Sequence, residues 1–96
     1  MRPSDALNQH REEIRRIVAD AGLANPRVFG SVARGEDQED SDLDILVDPA
    51  PRMGLLKFSG VQIRLEELLG LKVDLLTPNC LPVKFRQHAI SEALAL

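Results

Sequence analysis

Asp42 and Asp44 stand two residues apart at the head of the apolar run "LDILVD". In an extended strand, side chains two apart share a face, so these carboxylates project together with their Cα atoms roughly 6.5 to 7 Å apart. Leu43, Ile45 and Val47 take the opposite face. Carboxylates held side by side repel unless a cation lies between them. Mg²⁺ suits such hard oxygens and keeps its remaining positions for water and substrate phosphates. A third acid, Asp74, interrupts the apolar stretch "LKVDLL", where an unpartnered charge is costly. If that stretch is a strand beside "LDILVD", Asp74 completes a triad. Upstream, "FGSVARG" sets Gly30 and Ser31 at the start of a short helix. Glycine lets backbone approach a phosphate closely, the Ser31 hydroxyl adds a polar group, and the first helical amides point at an anion.

Taken singly, each of these features has an ordinary explanation. Asp42 suits the start of a strand, Gly-Ser is common turn chemistry, and Asp74 could pair with Lys72 or with an arginine. Glu36, Asp37, Glu39 and Asp40 form an acidic run that lacks the glycine and terminal glutamate of a calcium-binding EF-hand loop, so a solvated loop is expected. His10 and His88 fall in separate helices with no second ligand at metal spacing, which assigns them to surface or packing. Cys80, the single cysteine, cannot form an internal disulfide and is expected to be a small buried or half-buried hydrophobe.

The elements that must position these residues follow from periodicity. Ser4 offers an N-cap, and Leu7, Ile14, Ile17, Val18 and Ala21 recur at helical spacing before Gly22, predicting one helix over residues 5–21. "PRVFG" is β-prone between Pro26 and Gly30, "SVAR" continues as a brief helix from Ser31, and "GEDQED" is an exposed connection. The strand "LDILVD" ends at Pro49 and Pro51. Leu55, Phe58, Val61, Leu65, Leu68 and Leu69 then mark a helix that Gly60 weakens without forbidding. "LKVDLLT" is a third strand closed by Pro78, and a last helix from Pro82 is expected to turn Val83, Phe85, Ile90, Ala93 and Leu94 inward. The order α-β-α-β-α-β-α predicts an α/β fold in which a small mixed sheet is flanked by helices, as one domain over residues 1–96.

Composition narrows the function. With 96 residues and 44% hydrophobic content the chain can bury one core but has no room for a separate substrate domain, so part of the substrate surface is expected on another molecule. A formal charge of −3, three Phe, and neither Trp nor Tyr argue against direct nucleic-acid binding, which favours a basic face and stacking rings. The first residues lack the apolar core of a secretory signal, and no run reaches transmembrane length. A soluble cytoplasmic protein without membrane contact is expected.

The combination carries more than its parts. G-S-x-x-x-G, a short loop, S-D-x-D-x-x-V and a later lone strand aspartate together resemble the nucleotidyltransferase superfamily related to DNA polymerase β. The pattern is nearest to its minimal, MNT-type members, antitoxins paired with HEPN-type ribonuclease toxins. The likeness is strongest over Phe29 to Asp48, extends to Asp74 by position, and agrees with the flanking helices and the length. The resemblance implies that Gly30, Ser31 and Arg34 bind the triphosphate of ATP. It implies that Asp42, Asp44 and Asp74 are the catalytic carboxylates and hold Mg²⁺, two ions in all. The implied reaction moves AMP from ATP to a hydroxyl of the partner toxin, a tyrosine, and silences it, in a homo- or hetero-oligomeric assembly. The rival implication is an antitoxin that neutralises its toxin by binding alone. Val32 departs from the family pattern, where many minimal members carry a basic residue in G-S-R-A-R-G, and this bears on nucleotide affinity more than on chemistry.

Overall fold

A computed structural model describes residues 1–96. The elements are α1 (Pro3–Gln9), α2 (Arg11–Asp20), β1 (Ala24–Phe29), α3 (Gly30–Arg34), β2 (Leu43–Asp48), α4 (Leu55–Leu69), β3 (Val73–Leu76), a 3₁₀ turn (Pro78–Cys80), α5 (Val83–Glu92) and β4 (Leu94–Ala95). The sheet order is β3-β2-β1-β4; β2 pairs parallel with β3, while β1 is antiparallel to both β2 and β4. The expected mixed sheet flanked by helices is therefore the fold found.

Strand alternation divides the core. Leu43, Ile45 and Val47 of β2, with Val73 and Leu75 of β3, pack under Ala6, Leu7, Ile14, Val18, Val61 and Leu65 from α1, α2 and α4. On the other face, Phe29, Leu46, Leu81 and Ala89 form a smaller cluster beneath α5. Asp44 and Asp74 alternate onto this second face.

Several expectations are corrected. The first helix is two, because His10 leaves the helical region (φ −119°, ψ 20°) between α1 and α2. Ser4 is not the cap: it lies inside α1, which starts with Pro3 after Arg2, and its backbone amide donates to Asp37 Oδ2 at 3.0 Å across the fold. Asp37 is accordingly buried, 5% exposed, and is not a solvated loop acid. Burial pushes its pKa up, but the backbone and hydroxyl hydrogen bonds from Ser4 and the charge of Arg2 prevail and hold it below the ordinary carboxylate value.

Val83 and Phe85 do not face inward; they are 78% and 57% exposed, and Ala89 is the residue α5 buries. Leu94 leaves the helix altogether and pairs with Val28 in β4, since the chain straightens at Ala93 (φ −64°, ψ 139°). Cys80 is exposed at the end of the 3₁₀ turn, its sulfur 3.2 Å from Thr77 Oγ1.

Gly60 lies inside α4 with nothing within 4 Å of where a Cβ would stand. Gly60→Ala is expected to raise stability by about 0.5–1 kcal/mol through helix propensity and a less flexible unfolded chain. An upward shift of the thermal melting midpoint would check it.

Candidate active site

Backbone register builds the site. Phe29, the last residue of β1, is the Cα partner of Asp44 in β2, and Asp44 is the partner of Asp74 in β3. Three adjacent strands thus bring the glycine turn and two carboxylates into one row. The polypeptide turns immediately after Phe29, at Gly30, where φ is +72°. That left-handed conformation favours glycine, and the site demands it twice over: a Cβ on Gly30 would overlap Oδ2 of Asp44. The space next to Gly30 that the sequence suggested for a phosphate is, on this side, filled by the Asp44 carboxylate.

The electrostatics single out Asp44. Along the same face of β2, Asp48 is neutralised by Arg27, whose Nη1 lies 3.0 Å from Asp48 Oδ1. Asp42, just ahead of β2, pairs with Lys72 at 3.7 Å. Lys72 therefore serves Asp42, and not Asp74 as the single-residue reading allowed. Neither Asp44 nor Asp74 has an ion-pair partner. Burial, and then the charge of Asp74 beside it and a hydrogen bond between the two, raise the Asp44 pKa from 3.8 to about 6; Asp42 adds to the rise and Arg34 opposes it. A divalent cation would relieve this repulsion, so the donor set fits an oxygen-preferring metal such as Mg²⁺. The fit rests on the Asp44–Asp74 pair, because no three such side chains already converge as a cage. Asp42 would have to turn from Lys72 to join them.

Arg34, the last residue of α3, is engaged within the chain. Its Nε lies 3.1 Å from Glu36 Oε2, and Nη1 lies 3.2 Å from both carboxylate oxygens of Glu92. Glu92 also accepts the Gly30 amide at 3.1 Å. No local pattern marked Glu92, which lies 62 residues from Gly30. Ser31 follows Gly30 at the head of α3, half-buried. His10 pairs with Glu13, and exposed His88 lies 3.5 Å from Glu92, so neither histidine belongs to a metal cluster. The larger cavity, about 300 Å³, is lined by Leu23, Pro49, Ala50, Met53, Leu55 and Phe58 at the opposite end of β2 from the carboxylates.

Known proteins share this fold and much of this sequence. The family model for the nucleotidyltransferase domain matches residues 7–95. The protein adenylyltransferase MntA of Thermococcus cleftensis is 47% identical over 88 residues, covering 92% of this chain and 86% of that protein. A solved structure assigned as a minimal nucleotidyltransferase superposes with a TM-score of 0.86 at 40% identity, covering 97% of this chain and 95% of the other. A complex of a tri-AMPylated HEPN toxin with its MNT antitoxin, from Shewanella oneidensis, contains a chain of the same fold: TM-score 0.69, 19% identity, 92% and 69% coverage. No helix is long and apolar enough to cross a membrane. With the glycine turn, the facing carboxylates and a family match along nearly the whole chain, this protein belongs to the nucleotidyltransferase domain family and is a homologue of the protein adenylyltransferases of the MntA type.

Proposed function

We propose that this chain is the antitoxin of a toxin–antitoxin pair and transfers AMP from ATP to a tyrosine hydroxyl of a HEPN-type ribonuclease toxin. The observation that carries the reading is the facing pair Asp44 and Asp74 beside Gly30. It joins an unpaired acidic couple to a glycine turn that only a compact residue can form. The relatives' adenylyltransferase activity and the AMPylated toxin bound to a chain of this fold support the donor, the acceptor protein and the direction of transfer.

Asp42, Asp44 and Asp74 would hold Mg²⁺, which supplies charge neutralisation at the transferring phosphoryl group and its leaving pyrophosphate. The Ser31 hydroxyl and the amides that follow the glycine turn orient the triphosphate. A carboxylate oxygen of Asp74 accepts the proton of the attacking hydroxyl. The new bond joins the tyrosine hydroxyl oxygen to the α-phosphorus as the bond from the α-phosphorus to the pyrophosphate oxygen breaks. Asp44, with its pKa near 6 before metal binds, must be ionised to hold the metal, so Mg²⁺ affinity, read by titration at several pH values, is expected to strengthen as pH rises through about 6.

The test mixes the protein with ATP, Mg²⁺ and a HEPN toxin encoded beside it, followed by intact mass measurement of both chains. Adenylate increments on the toxin are expected, and an unchanged toxin mass would refute the reading. Asp74→Asn is expected to keep the complex with the toxin, read by co-purification, while the adenylate increment disappears. A variant that no longer bound would show that partner docking and chemistry share this residue.

A further inference from the structure

Glu92 is the last residue of α5, and its half-buried carboxylate reaches the turn at Gly30 and the end of α3 at Arg34. One oxygen, Oε1, accepts both the Gly30 amide at 3.1 Å and Arg34 Nη1 at 3.2 Å; the other, Oε2, accepts the same Nη1 at 3.2 Å. Three features make this a clamp and not an incidental surface pair. The Gly30 amide belongs to the residue whose left-handed backbone leaves room for the Asp44 carboxylate. Arg34 closes the same short helix, α3, so Glu92 grips that helix at its first and last residues. The Glu92 side chain is only 16% exposed and its hydrogen bond from the Gly30 amide is part-buried, while Arg34, at 44% exposure, meets it from the solvent side.

We propose that Glu92 is a positioning residue for the nucleotide-binding turn, holding Gly30 and Arg34 in the geometry that aligns Ser31 and Asp44 for the triphosphate. The assignment rests on the nucleotidyl-transfer reading of the site and deepens it. Under it, Arg34 is a strut between α3 and α5, and its guanidinium is committed to Glu92 and Glu36 before nucleotide arrives. The opposite use of the same contacts is a carboxylate plug, in which Glu92 occupies anion donors until a phosphate displaces it. The two uses predict opposite changes in affinity. A strut that is cut weakens nucleotide binding, whereas a plug that is removed strengthens it.

The experiment measures binding of a non-hydrolysable ATP analogue with Mg²⁺ by calorimetry, well below the melting temperature, for wild type, Glu92→Ala and Glu92→Gln. Loss of charge-assisted hydrogen bonds is expected to weaken binding about tenfold or more in Glu92→Ala. Glu92→Gln keeps an acceptor for the Gly30 amide but cancels the charge facing Arg34, and is expected to fall between wild type and alanine. It also decides the matter if the alanine variant does not fold. Equal or tighter binding in a folded variant would overturn the proposal. In the nucleotide-free protein, amide exchange at Gly30 is expected to be faster in Glu92→Ala, and unchanged exchange would likewise overturn it. A wild type that bound no nucleotide would refute the nucleotidyl-transfer reading and this role with it. A wild type that bound while both variants matched it would refute the role of Glu92 alone.

Discussion

Gly30→Val is expected to yield a destabilised protein that has lost most of its nucleotide affinity. The backbone cost comes first: at φ +72° an L side chain is strained by about 1–3 kcal/mol, and a β-branched one sits toward the upper end. The second cost is the Cβ itself, which would overlap the Asp44 carboxylate and push it out of the row it forms with Asp74. Gly35 separates the two costs. Its φ is also +72°, but nothing lies within 4 Å of the Cβ it would gain, so Gly35→Ala is expected to lose only the backbone component. Gly30→Ala should lose more than Gly35→Ala in denaturant unfolding, and the difference reports the contact with Asp44. Ser31→Ala should cost nucleotide binding only about 0.5–1.5 kcal/mol, the worth of one neutral hydrogen bond. If Gly30→Val melted with wild type and bound the ATP analogue equally, the turn would be ordinary turn chemistry and the site would lie elsewhere.

Asp44→Asn should move activity and stability in opposite directions. Removing one carboxylate from a metal clamp forfeits several kcal/mol of transition-state stabilisation, so transfer is expected to fall on the order of a thousandfold or more. The metal-free protein should gain stability near neutral pH, because the substitution removes a partly buried charge that faces Asp74. The pH dependence fixes the sign. Asp44 has a folded pKa of about 6 against an ordinary value of 3.8, so its contribution to stability is fully present below about 3.8 and is lost as pH rises through about 6. Wild type minus Asp44→Asn should therefore become less favourable to wild type across that window and level off above it. Asp37, with its pKa lowered, acts in the other direction at acid pH but is common to both proteins and cancels. Mg²⁺ should restore wild-type stability above pH 6 and leave the variant nearly unmoved. Thermal melts at several pH values, with and without Mg²⁺, would test both halves; a flat difference between the two proteins would mean that Asp44 is not strained by its neighbours.

What the sequence could determine alone was local. Period-two alternation in "LDILVD" put Asp44 on the face opposite Leu43, Ile45 and Val47, and the structure keeps it there because those three residues must be buried under the helices. Gly30-Ser31 at a strand-to-helix turn was legible for the same reason: the backbone geometry is set by neighbours a few residues away. The nearness of Asp74 was a conditional expectation, since periodicity says nothing about which strand lies beside which; parallel pairing of β2 with β3 made the condition true. Other features depended on contacts distant in the chain. Asp37 looked like one more acid in a solvated run and became a buried acceptor for the amide of Ser4, 33 residues away. Arg34 looked free for phosphate until the end of α5 brought Glu92 against it. The apolar spacing after Pro82 suggested a longer amphipathic helix, yet β1 had an open edge whose backbone groups needed partners, and pairing Val28 with Leu94 drew the last residues out of the helix and into the sheet. Tertiary structure decided these points because hydrogen-bond partners for backbone amides and charged side chains are chosen by proximity in space, which sequence spacing does not encode.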